Sequence, residues 1–172
     1  VADDFSTQPE TLANYPFFSD PTEENAAAFI TEVFLNLFNR PPEGPDDVAE
    51  GEIDGLTFWT DALIASINGE PGSDSVGEII LQIIEGAQDG PQGNDRSTIL
   101  NKIEVATSWT DAADAAGFNE EDSYETNPSL QNSAKSIIEP VTDDPATVTA
   151  AKATIDDFFD PIGVPGEEFF LT

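Results

Sequence analysis

The chain carries 35 aspartate and glutamate residues against 5 lysine and arginine residues, which gives a formal net charge of −30 at pH 7. Self-repulsion of this size opposes any compact fold, and salt weakens it because the Debye length falls from ~30 Å at 0.01 M to ~10 Å at 0.1 M. The same charge repels nucleic acid and anionic membranes. We therefore expect a protein of saline or calcium-containing surroundings, with no nucleic-acid partner.

Most of the side chains that do chemistry near neutral pH are missing, because the chain has no His, Cys or Met. A serine triad would lack its histidine base, and a thiol nucleophile is impossible. There is no glycine-rich phosphate loop or dinucleotide fingerprint. Carboxylates are so abundant that no pair stands out as a catalytic acid and base. The composition predicts a protein that is not an enzyme.

The apolar content is nevertheless sufficient for a folded core. Phe, Ile, Leu and Val make up a quarter of the chain, above the ~20% level below which disorder is the default. No apolar run approaches the ~20 residues that span a bilayer, so membrane insertion is not expected.

Helix signals recur along the whole chain. Each consists of a capping residue, often with proline after it, then apolar residues three or four apart, then a stop at glycine, asparagine or proline. These signals place helix starts at Asp20, Asp54, Ser75, Asn94–Asp95, Asn127 and Asp144. The Ser75–Glu78 capping box favours a helix over a buried strand for the isoleucines at 79–84.

Six helices without a convincing hairpin signal predict an all-α fold, a compact bundle of about six helices with an extended C-terminal tail. The expected division is an N-terminal arm at 1–20, the bundle at 21–159 and the tail at 160–172. The tail ends in Phe169, Phe170 and Leu171, which should not stay in water. They are our candidate assembly residues, either as a strap over the bundle or as a strand that begins another domain or pairs with a neighbour.

Two segments carry a family resemblance: AFITEVFLNLFNRPP at 28–42 and GLTFW at 55–59. In this order they resemble the helical domain-of-unknown-function family of secreted RTX-type calcium-binding proteins and S-layer proteins, with weaker matches continuing to residue 159. Asn39 stands where that family has glycine, and the stretch between Pro42 and Gly55 is an acidic insertion. The resemblance implies an extracellular or cell-surface structural role without catalytic residues. It also implies that the chain is the N-terminal module of a longer protein.

The acidic insertion has the outline of a calcium loop. Glu50, Glu52 and Asp54 alternate, Gly55 could make the sharp turn, and Asp61 stands at the twelfth position; these are the spacings of an EF-hand-like oxygen cage. The alternative is a solvated loop in which Asp54 caps the next helix. Calcium is thus the only cofactor candidate, and these four residues are the candidate metal ligands.

A second oxygen cluster, Asp89, Asn94 and Asp95, has the same two interpretations. It forms either a turn with an N-cap, which we favour, or a calcium site.

The tetrapeptide Trp-Thr-Asp-Ala occurs at 59–62 and 109–112, with Ile53 and Ile103 six residues ahead of the tryptophans. The flanking residues do not align, so coincidence is favoured over duplication. Both tryptophans fall on helical stripes that predict core positions, the second with Ile99, Leu100 and Ile103. If exposed instead, they could stack on sugars.

These features predict a non-catalytic structural module of a secreted or cell-surface protein, such as an S-layer or extracellular filament. It would assemble with itself or with other surface proteins through contacts favoured by divalent cations or salt. The alternative function is a carbohydrate-binding or surface-anchoring module whose partner is a cell-surface glycan.

Overall fold

A computed structural model describes residues 15–90, 93–118 and 127–160, and the chain divides into two compact units, Val1–Ala87 and Gln88–Thr172. The first unit contains a 3₁₀ turn and helices α1 to α3, and the second contains a short strand pair and helices α4 to α6. The elements are the turn Pro16–Phe18, α1 Glu23–Phe38, α2 Gly55–Ile67, α3 Val76–Glu85, β1 Asp89–Gly90, β2 Gly93–Asn94, α4 Asp95–Ala115, α5 Pro128–Ile138 and α6 Pro145–Phe159.

Helix α1 starts two residues later than predicted. Its N-cap is Thr22, whose hydroxyl accepts a hydrogen bond from the Asn25 amide at 3.2 Å. Asp20 instead accepts from the Asn25 side chain through its carbonyl oxygen at 2.8 Å. The helix ends at Asn39, which has a left-handed backbone with φ 58°. Glycine adopts that conformation most readily and asparagine tolerates it, so Asn39 terminates the helix as a glycine would.

The predicted caps of the other two helices in the first unit are confirmed. Asp54 caps α2. At α3 the Ser75 hydroxyl accepts from the Glu78 amide at 3.3 Å, while the Glu78 carboxylate accepts from the Ser75 amide at 2.8 Å. Both halves of the capping box are therefore formed, and the isoleucine run is helical as predicted.

The core of the first unit lies where α1 packs against α2 and the 3₁₀ turn, and where α2 packs against α3. The largest fully buried side chains of this core are Phe17, Ile30, Leu63 and Ile79. The Phe17 and Phe29 rings stack at 6.0 Å between centroids. Thr60 is a polar residue in this interior, and its buried hydroxyl has no hydrogen-bond partner among the described residues.

The second unit opens with a two-residue antiparallel pair in which Asp89 lies opposite Asn94. This pair brings the Asp89 carboxylate to the start of α4, where it accepts from the Ser97 amide at 2.9 Å and from the Ser97 hydroxyl at 2.8 Å. Asp89 therefore satisfies a first-turn amide that α4 leaves unpaired. The Asn94 side chain makes no capping bond and donates to Asp143 at 2.6 Å.

Helices α4, α5 and α6 pack against one another around the core of the second unit. The buried side chains of this core include Val105, Trp109, Leu130, Val141 and Ile155.

The apolar stripe predicted for α4 is partly wrong. Leu100 and Ile103 are exposed, whereas Thr98 and Lys102 are buried on the face shared with Val105. Both faces of this helix carry apolar residues, so its periodicity indicates a helix without settling which face is inside.

The fold-class prediction is confirmed: the chain is all-α, with six α-helices in the described ranges and one minimal strand pair. The division between the two units at residue 87 was not part of the sequence interpretation, and the predicted arm, bundle and tail stay a prediction. None of the helices in the described ranges is both long and apolar enough to cross a bilayer.

Candidate functional site

The acidic insertion forms an ordered connection between α1 and α2. The Leu56 amide donates to the Glu43 carbonyl at 2.9 Å, which closes the connection at the start of α2. Within it, the Asp47 carboxylate accepts from the Gly44 amide at 2.9 Å, and the Glu52 carboxylate accepts from the Ala49 amide at 3.4 Å. The loop therefore holds its shape partly through its own carboxylates.

Asp54 is the buried member of the predicted calcium loop, and both of its carboxylate oxygens are occupied. One oxygen accepts from the Thr57 amide at 2.8 Å and the other from the Thr57 hydroxyl at 2.7 Å. These hydrogen bonds hold the pKa of Asp54 below its usual value. The capping interpretation of this residue is confirmed.

The other three candidate ligands are exposed, unlike Asp54. Glu50 and Glu52 are exposed in the loop, and Asp61 is exposed on α2. Over residues 15–90, 93–118 and 127–160, no group of three or more acidic side chains is arranged to hold a metal ion. Calcium binding by this loop stays a prediction.

The second oxygen cluster has a defined structural use. Hydrogen bonds from Ser97, and to a smaller extent the charge of Arg96, lower the pKa of Asp89. Since Asp89 ties the strand pair to α4, the turn-and-cap interpretation of this cluster is the one that the geometry supports.

The few cations do little to offset the acidic surface. Lys152 pairs with Glu104 at 2.6 Å, and both side chains are partly exposed. Lys102 is buried, and this desolvation lowers its pKa while the charge of Glu139 opposes the shift. Arg40 lies 5.9 Å from the ring centroids of Phe34 and of Phe38, within cation–π range.

The two tryptophans differ in environment. Trp109 is buried, and its indole nitrogen donates to the Ser133 hydroxyl at 3.0 Å. It is thus a core residue, as its stripe predicted, and is not available for sugar stacking. Trp59 is only half-buried and touches the ring of Phe58 edge-on, with 4.9 Å between centroids.

The sequence interpretation missed two exposed apolar surfaces. The first, which we name the α2 groove, is a shallow depression of about 500 Å³ in the first unit. Its side chains include Ile53, Phe58, Ala62 and Ala65, with the carboxylates of Asp61 and Glu70 beside them. Ile53 is 73% exposed and Phe58 is 53% exposed. The available signal was that Phe58 lies off the apolar stripe of α2, which consists of Leu56, Trp59, Leu63 and Ile67.

The second surface, which we name the α4 row, consists of Arg96, Leu100 and Ile103 in the second unit. Leu100 and Ile103 are 55% and 57% exposed, and Arg96 is also exposed. The spacing i, i+4, i+7 places all three side chains on one face of α4. These neighbouring exposed apolar side chains make the α4 row a candidate contact surface.

The predicted assembly residues Phe169, Phe170 and Leu171 lie outside the described residues, and their role stays a prediction.

Together these features define an acidic all-α protein in which several loop carboxylates, those of Asp47, Glu52 and Asp54, hold the backbone in place. Its most exposed large apolar side chains, Ile53, Leu100 and Ile103, lie on the two surfaces named above. The chain is 28% identical over 153 residues to an S-layer protein of Synechocystis sp., and the match covers 88% of this chain and 8% of that protein. The chain therefore corresponds to a small part of the relative's length. No protein-family model and no solved structure matches the chain.

Proposed function

We propose that the chain is a non-catalytic structural module of a cell-surface layer, which assembles through protein–protein contacts. The observation that carries the proposal is the similarity to an S-layer protein along 88% of the chain. Its composition is in keeping with this role, because the chain has no His to act as a general base and no Cys to act as a nucleophile. The module would then be located at the cell surface or in the extracellular space.

The acidic surface would set the conditions for assembly. Two copies of net charge −30 repel each other strongly at low ionic strength. Salt shortens the range of this repulsion, and divalent cations can neutralise paired carboxylates directly. Copies should therefore remain apart in dilute buffer and associate where cations are plentiful.

Sedimentation velocity of the purified chain tests this proposal. We expect monomers in low-salt buffer with EDTA and larger species after addition of millimolar calcium chloride. Sodium chloride at matched ionic strength separates screening from calcium binding. The variant Glu50→Gln/Glu52→Gln reports whether the acidic insertion contributes the calcium effect. Monomers in EDTA, calcium and sodium chloride alike would refute the assembly role, and larger species already present in EDTA would refute its dependence on cations.

The carbohydrate-binding alternative has less support, because Trp109 is buried in the core. Trp59 is the remaining indole that could contact a glycan. Quenching or a spectral shift of Trp59 emission by cell-surface polysaccharide, measured in a Trp109→Phe variant, would favour that alternative.

A further inference from the structure

We propose that the α4 row of one copy of this chain docks into the α2 groove of a second copy. This inference rests on the proposed assembly function and names the two surfaces that meet. It draws on exposed residues that the cores of the two units do not use.

The shapes of the two surfaces are compatible. Phe58, Ala62 and Ala65 follow one another at i, i+4 and i+7 on α2, so the groove has one large aromatic side chain and two small ones on a helical face. Alanine side chains allow another helix to approach closely. The α4 row offers the complementary pattern, with Leu100 and Ile103 as two aliphatic side chains one turn apart. This is the helix-in-groove mode of recognition.

The charges determine which surface meets which. Arg96 is one of five cations in the chain and is exposed on the α4 row. The α2 groove carries the carboxylates of Asp61 and Glu70. Docking the row into the groove brings unlike charges together, whereas two grooves face to face would oppose Asp61 and Glu70 to their own copies. Such like-charge contacts disfavour a symmetric groove-to-groove dimer.

A contact between two different surfaces has a consequence for the assembly. Each copy carries one groove and one row, so a docked pair still has one free groove at one end and one free row at the other, where further copies can add. Heterologous contacts of this type produce closed rings or open chains. The net repulsion between copies would limit this growth to cation-rich conditions.

Two complementary variants test the contact in the full chain, in buffer of about 1 M sodium chloride where the Debye length is ~3 Å. Phe58→Ser removes the groove and Leu100→Ser removes the row. Both side chains are more than half exposed, so we expect both variants to keep the wild-type circular dichroism spectrum. We expect each variant alone to associate at least about 10-fold more weakly than wild type. An equimolar mixture should form dimers and nothing larger, because only one productive contact remains.

The control is Leu81→Ser, which replaces a side chain of the same exposure, 53%, on α3 outside both surfaces. It should assemble like wild type. Ile53→Ser and Ile103→Ser form a second pair that must reproduce the result if either first variant is misfolded. Charge reversal adds an electrostatic test. Arg96→Glu alone and Asp61→Arg alone should each associate weakly, and mixing them should restore assembly, since each row in the mixture then meets a groove of opposite charge on the other variant.

The outcomes separate this inference from the function it rests on. If wild type assembles and both variants assemble equally well, the docking model is wrong and the assembly role survives. If each variant alone is monomeric and the mixture is monomeric too, the two surfaces do not meet each other and the model is also wrong. If wild type never associates under any ionic condition, both proposals fail.

Discussion

Replacing Ser133 by alanine should destabilise the second unit, because the Ser133 hydroxyl is the acceptor for the buried indole N–H of Trp109 at 3.0 Å. The Ser133 hydroxyl in turn donates to the Leu130 carbonyl at 2.9 Å. The alanine variant leaves the indole N–H buried without this acceptor, and such a loss costs about 1–3 kcal/mol. The second unit has about 85 residues, so a loss of about 2 kcal/mol lowers its Tm by ~8–16 °C.

The assay follows thermal and denaturant unfolding by the fluorescence of Trp109. Each unit contains a single tryptophan, so a Trp59→Phe background makes Trp109 report on the second unit alone. The matched control is Ser136→Ala on the same helix, whose hydroxyl only back-bonds to the Ser133 carbonyl at 3.2 Å. Both substitutions carry the same gain in helix propensity, about 0.5 kcal/mol. Equal stability of the two variants would refute the claimed role of the Trp109–Ser133 bond.

Three further predictions concern the first unit. Thr60→Val should raise its free energy of unfolding by about 1 kcal/mol in urea, because it removes an unpaired buried hydroxyl at nearly constant volume; a loss of stability would contradict this. Burial, with a smaller contribution from Glu32, raises the pKa of Tyr15 above 10.0, so the unfolding free energy should fall as the pH rises through that folded-state pKa. Tyr15→Phe should abolish this alkaline loss, and superimposable curves for the two proteins would show that Tyr15 is not its source. Asp54→Ala should have a lower free energy of unfolding than wild type at pH 7. This difference in unfolding free energy should become smaller as the pH falls through the lowered pKa of Asp54. A difference that stays constant with pH, measured by denaturation at a series of acidic pH values, would contradict the claim that the ionised carboxylate of Asp54 stabilises the cap.

The helices were predictable from the sequence because their signals are local. Four predicted caps form, and each lies within a few residues of the amides that it satisfies. They are the Ser75–Glu78 capping box and the N-caps Asp54, Asn127 and Asp144. The start of α1 shows the limit of such signals. Asp20-Pro21 and Thr22 are competing caps, and the Thr22 hydroxyl satisfies the first-turn amide while Asp20 accepts from a side chain.

The packing of the helices and the contacts between residues distant in sequence were less predictable. Helix α4 has apolar residues on two faces, and packing against α5 and α6 buries the face that contains Lys102 and leaves Leu100 in solvent. Periodicity counts apolar residues and contains no information about what lies opposite them. Asp89 caps α4 from eight residues before Ser97, a distance at which no capping rule applies. The α2 groove was missed for the same reason, since the position of Phe58 off the apolar stripe does not say whether another element covers it.

The most direct test of the account is the second virial coefficient of the wild-type chain, measured by static light scattering from about 0.01 M to about 1 M sodium chloride, where the Debye length falls from ~30 Å to ~3 Å. We expect a strongly positive coefficient at the lowest salt, because copies of net charge −30 repel each other. It should turn negative as screening allows the apolar surfaces to meet. A coefficient that stays positive at every salt concentration, or is already negative in the most dilute buffer, would contradict the account.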